Sequence, residues 1–598
     1  MPRKLKHQKK SREETTAEDY FPVDESDLKH TVKKEHKSID RKSLEKVEIL
    51  ALTEKKKRRK TSAKKRTLVS FKNHPRRVGG RGAGGGTIKK IKEYRPQKIS
   101  LKKSGYELII TEKPQAAAKI ASALGKINKK TNSNVSYYEV ERNGEKIIVA
   151  CAVGHLFTLK QTSNYQVPVF DVKWVPNFIA GKGMDFTKKY YDTISKLAKN
   201  ASGITIATDY DVEGEVIGMN VMKFICGQND ANRMKFSTLT DKELNQSYEQ
   251  KSKSINWPNA FAGETRHYLD WFYGINLSRA LMNAIKTTGA FRIMSVGRVQ
   301  GPALNLITKK EKQIQAFKPE KFWQVFIRIK NSHELELKHN KDIFRKQDLK
   351  KFENLKGREI DVVTEKKSQS LPPLPPFDLT SLQSEAYKFH GITPARTLQI
   401  AQGLYLSGLI SYPRTSSQKL PASIAYKEIL EKLAKKYKVE NLIKRDSPVE
   451  GKKSDPAHPS IYPTGNFQIL SGEDEKIYNL IAKRFLSLFC EDAIIDNKTI
   501  KTEIDKLTFS VRGSSIRKKA WLEIYPMKMV EKEIPDFNGK AKITNLKFDE
   551  KETQPPKRYS PASIVTELEK RGLGTKATRA NIIETLYDRG YIRERSIE

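Results

Sequence analysis

The chain has 598 residues, too many for one hydrophobic core, so several domains are expected. Lys and Arg number 113 against 70 Asp and Glu, and the formal charge of +43 favours a polyanionic partner, nucleic acid above all. Cys151, Cys226 and Cys490 are too far apart to support a disulfide framework or a cysteine-based zinc module. No apolar run is long enough to span a bilayer and no signal-peptide pattern occurs, so a soluble, intracellular protein with no membrane partner is expected.

Residues 1–100 carry 31 basic and 13 acidic side chains, which leaves a net +25 on the remainder. Positive charge therefore extends beyond the tail. Residues 1–104 read as a disordered basic extension, with the cluster Lys55-Lys56-Lys57-Arg58-Arg59-Lys60 and a glycine-rich run at 79–86. Such a segment buries too little apolar surface to offset its ordering entropy. Order is expected from about Tyr106. Glu107–Ile110, Lys146–Val153 and Gly203–Thr208 read as strands, with helical spacing over Gln115–Leu124 and Glu215–Ile225, which predicts an α/β sheet. Residues 257–313 read as mainly helical and 321–364 as strands. The proline cluster at 372–376 is a linker, followed by a helical section, strands over 499–526, and helices from Ser560.

The strand at 204–207 runs into Asp209-Tyr210-Asp211-Val212-Glu213-Gly214-Glu215. Ligands of α/β sheets sit at such C-terminal strand ends. Carboxylates crowded there repel one another unless a cation neutralises them, and hard oxygen ligands suit Mg²⁺. An exposed acidic turn is the bland alternative. Glu112-Lys113-Pro114 ends the first strand, and parallel pairing would bring it beside Asp209; taken alone it also reads as a helix start. Tyr412, followed by Pro413 and Arg414, lies where an element ends, with a guanidinium suited to phosphate oxygens. By itself such a tyrosine is more often a half-buried core residue.

Taken in order, these motifs resemble a known family. Glu112-Lys113-Pro114, Gly154-His155-Leu156 and Asp209-x-Asp211-x-Glu213 are similar to a TOPRIM metal-binding domain. They are followed by Ser295-Val296-Gly297-Arg298-Val299-Gln300, Ser411-Tyr412-Pro413-Arg414-Thr415, Ala457-His458-Pro459-Ser460 and Arg571-Gly572-Leu573-Gly574-Thr575-Lys576-Ala577-Thr578-Arg579. In this order they resemble type IA DNA topoisomerases, most closely the archaeal DNA topoisomerase I branch.

The resemblance implies a multidomain α/β and α torus: a TOPRIM domain at 105–256, a helical domain split into 257–313 and 553–598, a β-rich arch split into 314–376 and 491–552, and a tyrosine domain at 377–490. It implies an isomerase that needs no ATP. The Tyr412 phenolate attacks a phosphodiester of single-stranded DNA to give a 5′-phosphotyrosyl bond, another strand passes, and the break is resealed, relaxing negatively supercoiled duplex. Tyr412, Arg414, Glu112, Lys113 and His458 are the implied catalytic residues. Arg414 and Lys113 answer phosphate charge, and Glu112 protonates the leaving 3′-oxygen. Glu112, Asp209, Asp211 and Glu213 are the implied Mg²⁺ ligands. His155, Arg266, His267, Asp270, Ser295, Val296, Gly297, Arg298, Val299, Gln300, Arg414 and Arg579 are the implied DNA contacts. A cytoplasmic, nucleoid-associated monomer is expected from the likeness and the lack of targeting signals, and no zinc is expected because zinc-ribbon cysteines are lacking.

Three features depart from it. Val212 stands where many bacterial members have Arg, zinc-ribbon cysteines are lacking, and the sequence stops at Glu598 where relatives continue their helical domain. The last predicts a fragment or a remainder on another polypeptide. Three rivals are a DNA-binding scaffold without strand passage, the topoisomerase module of a reverse-gyrase-like system, and a TOPRIM primase or nuclease, which would not require Tyr412. The first sits poorly with the joint presence of Glu112, Asp209, Asp211, Glu213, Tyr412 and Arg414. The second would bring a G-x-x-x-x-G-K-S/T loop, and this sequence contains none.

Overall fold

The computed structural model describes residues 94–593, apart from 97, 163–166, 182, 291, 526 and 528. The basic cluster and glycine-rich run of the N-terminal extension lie outside the described residues.

The three strands expected from apolar runs, at 107–110, 146–153 and 203–208, form one layer together with three that were not expected, at 126–132, 135–142 and 232–233. They are β1 (Tyr106–Thr111), β2 (Lys126–Asn132), β3 (Val135–Arg142), β4 (Glu145–Cys151), β7 (Ala201–Ala207) and β8 (Asn232–Arg233). A two-stranded pair, β5 (Phe157–Gln161) and β6 (Val172–Pro176), stands apart. The sheet order is β2-β3-β4-β1-β7-β8, with β4, β1, β7 and β8 parallel. Helices α1 (Pro114–Leu124), α2 (Asn177–Ala180), α3 (Phe186–Ala198), α4 (Val212–Phe224) and α5 (Asp241–Glu249) accompany it. Strand β1 lies between β4 and β7, so its inward residues Leu108, Ile109 and Ile110 are fully buried, as a parallel strand covered on both faces must be.

Two boundaries differ from the sequence reading. The extension was expected to run to residue 104, but Tyr94 and Lys102 already bond to this layer and its helices. The Tyr94 hydroxyl donates to the Phe224 carbonyl at 2.8 Å, and Lys102 N–H donates to the Ala201 carbonyl at 2.9 Å. One half-buried aromatic ring anchors a segment that composition alone reads as loose. Helix α4 begins three residues before the expected Glu215, because Asp211 caps it by accepting the Gly214 N–H at 2.8 Å.

Helices α6 (Trp257–Lys286) and α7 (Gln300–Ala316) replace the single helical stretch read over 257–313, the break falling after Thr287-Thr288-Gly289. Gly263 seats α6 on the start of α4, since a Cβ there would overlap Val216 and crowd the Val212 carbonyl oxygen.

Next come β9 (Lys321–Lys330), β10 (Glu334–His339) and β11 (Glu359–Leu371), then α8 (Leu379–His390), α9 (Pro394–Leu406), α10 (Tyr426–Tyr437) and α11 (Gly472–Ser487). Strands β12 (Ala493–Ile504), β13 (Leu507–Lys518) and β14 (Gly539–Glu552) precede α12 (Pro561–Lys570) and α13 (Arg579–Asp588). The six strands β9 to β14 close into an antiparallel barrel in the order β10-β13-β12-β11-β14-β9, which leaves no free edge. Val325, Ile327 and Ile329 point inward at period two, packed with Leu337, Ile500, Phe509 and Ile543.

Two strand pairs leave the barrel as stems. β11 and β12 pair out to Leu371 and Ala493, and everything from the proline cluster to Cys490 is inserted between them. β14 and β9 pair out to Glu552 and Lys321, leading to α12 and α7. There Ala303 packs with Ile564, Val565, Leu568, Ile583 and Leu586. The inserted helices join the sheet through one continuous apolar cluster that includes Ile120, Phe236 and Leu239 on one side and Tyr405, Ile410 and Tyr412 on the other.

Candidate active site

The site forms where the C-terminal ends of β1 and β7 meet the loop after α9. Parallel pairing of Thr111 with Ala207 places Glu112 and Lys113 beside Asp209. The Lys113 ammonium lies 2.5 Å from Asp209 Oδ2 and 3.1 Å from Glu112 Oε1. Burial, then the charges of Asp209 and Asp211, push the Glu112 carboxyl up to about 7 against the pull of Lys113. Lys113 is held above its ordinary value by Asp209 and Glu112, although burial works the other way. Glu112 is therefore a carboxyl that can carry a proton near neutrality.

Tyr412 is 1% exposed, and its hydroxyl donates to Asp211 Oδ2 at 2.6 Å. Its N–H donates to the Ser237 carbonyl at 2.7 Å, so backbone as well as side chain ties the loop to the sheet layer. Burial and the charges of Asp211 and Asp209 raise the phenol well above its ordinary value, and Arg414 opposes them. The hydroxyl is protonated in this arrangement. Arg414 Nη1 lies 3.7 Å from Asp211 Oδ2, and its buried Nε has no hydrogen-bond partner.

His458 lies against Tyr412, with ring centroids 4.6 Å apart. Its Nε2 contacts the Tyr210 carbonyl at 3.0 Å and its Nδ1 contacts the Ser237 hydroxyl at 2.9 Å. A carbonyl only accepts, so Nε2 carries the proton and Nδ1 accepts from Ser237. Burial, then the nearby Lys576, lower its pKa to about 4, so the ring is neutral at physiological pH.

The four carboxylates of the acidic segment point in different directions. Asp209 Oδ1 also accepts from the Tyr405 hydroxyl at 3.2 Å, and the Tyr405 and Tyr412 rings pack edge to face at 5.2 Å. Glu213 Oε2 lies 3.1 Å from both His155 Nε2 and His267 Nε2, while Oε1 meets Arg266 Nη1 at 2.7 Å. Partial burial would raise Glu213, yet hydrogen bonds from His155 and His267 and the Arg266 charge hold it far below the usual carboxylate range. Glu215 pairs with Arg233 at 2.7 Å with both fully buried, and that guanidinium also donates to the carbonyls of Thr208 and Asp209 at 2.9 and 3.0 Å. Gly214 permits this fold-back, since a Cβ there would overlap the Asp209 carbonyl oxygen.

Of the expected metal ligands, Glu112, Asp209 and Asp211 face the tyrosine loop, whereas Glu213 is engaged with two imidazoles and Arg266. Among the described residues, the one group of three or more His, Cys, Asp or Glu ligand atoms that gathers closely is His155, Glu213 and His267.

Of the expected DNA contacts, Asp270 lies 3.5 Å from Arg266 Nε and 2.9 Å from Arg298 Nε. Gln300 starts α7 and reaches the Ser295 hydroxyl at 3.4 Å, and Ser295 N–H donates to the Tyr591 hydroxyl at 2.8 Å. Val296 N–H donates to the Ser278 hydroxyl at 2.9 Å, Gly297 packs on the Gln300 side chain, and Val299 packs on Gly574 and is buried. Arg579 is turned onto its own loop, donating to the Leu573 carbonyl at 3.0 Å.

Sequence reasoning missed several participants. Lys576 pairs with Asp455, which accepts from Ser416 N–H at 3.1 Å and so braces the loop two residues beyond Arg414. Lys576 stands in the quoted Arg571–Arg579 motif, which was the available signal. Tyr405, Ser237 and Arg233 had none, because their partners are remote in sequence.

Residues 254–598 match the family model described as DNA topoisomerase, and residues 107–239 match the Toprim domain model. DNA topoisomerase 1 of Methanocaldococcus jannaschii is 47% identical over 502 residues, covering 81% of this chain and 65% of that protein. DNA topoisomerase 1 of Pyrococcus horikoshii is 43% identical over 508 residues, covering 81% of this chain and 74% of that protein. Among solved structures, topoisomerase I from Thermotoga maritima superposes with a TM-score of 0.64 at 25% identity, covering 82% of this chain and 79% of that one. The chain thus spans about two thirds of the first relative's length. No helix among the described residues is long and apolar enough to cross a membrane. A strand-end acidic segment facing a buried tyrosine and two family models in tandem lead to one conclusion: the chain belongs to the type IA DNA topoisomerases, with a Toprim domain preceding the topoisomerase region.

Proposed function

We propose that the chain cuts one strand of DNA with Tyr412, lets another strand pass, and reseals the break without ATP, relaxing negatively supercoiled duplex. The observation that carries this reading is the hydrogen bond from the buried Tyr412 hydroxyl to Asp211, at the strand ends where Lys113, Glu112 and Arg414 also converge.

The phenol gives its proton to Asp211, its present acceptor, as Oη attacks the phosphorus of single-stranded DNA. The bond from phosphorus to the 3′-oxygen breaks, and Glu112, a carboxyl with a pKa near 7, protonates the departing oxygen. Arg414 and Lys113 neutralise charge on the phosphoryl oxygens during transfer; the unpartnered Arg414 Nε supports a phosphate-facing role. His458, neutral with its proton on Nε2, holds the carbonyl of Tyr210 and so the spacing between Asp209 and Asp211.

The donor set suits a hard dication. Glu112, Asp209 and Asp211 bring three carboxylates together with the Lys113 ammonium and the Arg414 guanidinium, and burial first, then Asp209 and Asp211, raises Glu112. Asp209 and Asp211, with Glu112 beside them, would hold Mg²⁺, which supplies positive charge that positions the DNA phosphate for resealing. Glu213 would act at a distance, through the helix that Asp211 caps.

The domains divide as read from the sequence except that the Toprim domain takes in the segment from Tyr94, with Arg266, Asp270 and Arg298 along the single-strand path beside His155, His267 and Ser295–Gln300. The β11/β12 and β9/β14 stems are the flexures on which the tyrosine domain parts from the Toprim domain. The protein works as a monomer on cytoplasmic, nucleoid DNA. A relaxation assay tests the reading: with Mg²⁺, without ATP, negatively supercoiled plasmid is relaxed by the wild type and untouched by Tyr412→Phe. Equal relaxation by both would refute it.

A further inference from the structure

We infer that His155, Glu213 and His267 form a binding site for a transition-metal dication of the zinc or cobalt class, separate from the carboxylates that face Tyr412. The geometry is that of an open three-ligand site. Nε2 of each imidazole lies 3.1 Å from the same oxygen, Glu213 Oε2, and the two rings meet edge to face at 5.0 Å. Metal–ligand bonds of about 2.0–2.1 Å in a tetrahedron separate the ligand atoms by roughly 3.3–3.4 Å; both nitrogen–oxygen separations lie near that value and all three ligand atoms lie within 4.8 Å of one another, so side-chain adjustment alone would admit an ion. Two nitrogens and one carboxylate oxygen are a donor set that borderline-soft dications take and Mg²⁺ does not favour.

The three ligands come from three elements already fixed by other contacts. His155 follows a turn in which Val153 and Gly154 have φ of 56° and 85°, and its carbonyl accepts from Asn177 Nδ2 at 2.6 Å. Glu213 sits in the first turn of α4, and Arg266 grips its other oxygen, the outer support that ligating carboxylates commonly have. His267 lies one turn beyond Gly263, where α6 touches α4, with its ring against Trp174 at 5.4 Å. Side-chain exposures of 30%, 21% and 30% for His155, Glu213 and His267 leave a way in for the ion and a place for a water ligand. The ion would clasp the turn after β4, the start of α4 and the middle of α6 together. The expectation of no zinc was drawn from cysteine spacing, which does not address a nitrogen-rich site.

The experiment is titration of the full chain with Co²⁺ in excess Mg²⁺, which occupies hard carboxylate sites, followed by the visible d–d absorption of four-coordinate Co²⁺. The wild type is expected to bind a single equivalent with that band. His155→Ala and His267→Gln, on separate elements, should each weaken it by more than about 100-fold, since even outer-shell changes cost 10–100-fold. Asp209→Asn should retain it. Four histidines of the N-terminal extension, His7, His30, His36 and His74, remain in every variant and set the background. A band equal in the wild type and both histidine variants, or one lost in Asp209→Asn and kept in the histidine variants, overturns the inference. None of these readouts depends on DNA cleavage, so they stand apart from the proposed function.

Discussion

Seven residues, Asp209 to Glu215, build two unlike environments. On the tyrosine side, Asp209 and Asp211 meet hydroxyls and cations: Tyr405, Tyr412, Lys113 and Arg414. On the other side, Glu213 meets imidazoles and Glu215 meets a fully buried guanidinium. The division follows from the backbone. Asp211 caps α4, so Asp209 and Asp211 lie in extended chain before the helix, while Glu213 and Glu215 project from its first turn toward other elements. The carboxylates up to the cap hold the hydroxyls and cations on which the proposed reaction draws. Those after it hold the framework.

The largest effect should come from breaking the framework side. Glu215→Ala leaves Arg233 buried without its ionic partner, and chemical denaturation should show a loss of about 3–5 kcal/mol. A loss below about 1 kcal/mol would mean that the carbonyls of Thr208, Asp209 and Met234 satisfy Arg233 on their own.

A pH series sharpens the tyrosine side. His458 titrates near 4 when folded, because of burial and Lys576, against 6.5 when free. Between those values the unfolded chain takes up the proton that the folded chain refuses. Its contribution to stability is therefore full above about 6.5 and lost as pH falls through about 4, up to about 3 kcal/mol in all. Glu112, raised by burial, favours the folded state on acidification and partly masks this in the wild type. The difference between wild type and His458→Gln isolates it: wild type loses more stability between pH 7 and pH 4. Parallel curves would show that His458 is protonated when folded.

Tyr405→Phe should have the smallest effect, about 0.5–1.5 kcal/mol for one hydrogen bond to Asp209. Its ring still packs on Tyr412, so thermal unfolding should shift slightly and DNA cleavage should persist. Lost cleavage with intact folding would move Tyr405 into the chemistry.

These contrasts also mark what could be read in the sequence. Parallel strands ending in Glu112-Lys113 and Asp209 were legible because strand ends of one sheet share an edge, and the Lys113–Asp209 pair sits there. The approach of Tyr412 to Asp211 needed the family resemblance, since some 200 residues and a barrel separate them. The direction of Glu213 was not legible at all. It depends on how closely α6 lies on α4, which a glycine contact at residue 263 sets and no periodicity reveals. Barrel closure was hidden for a similar reason, because period-two strands specify faces but not which edges meet. Tyr94 shows the converse limit: a single aromatic ring orders a stretch whose composition argues for disorder.

The central claim is that the Tyr412 oxygen becomes covalently bound to DNA phosphorus. Denaturant trapping of a labelled single-stranded oligonucleotide tests it most directly. The wild type is expected to give a labelled protein band that survives denaturation and carries the 5′-phosphate side of the break, while Tyr412→Phe gives none. A trapped band of equal strength from Tyr412→Phe would contradict the account.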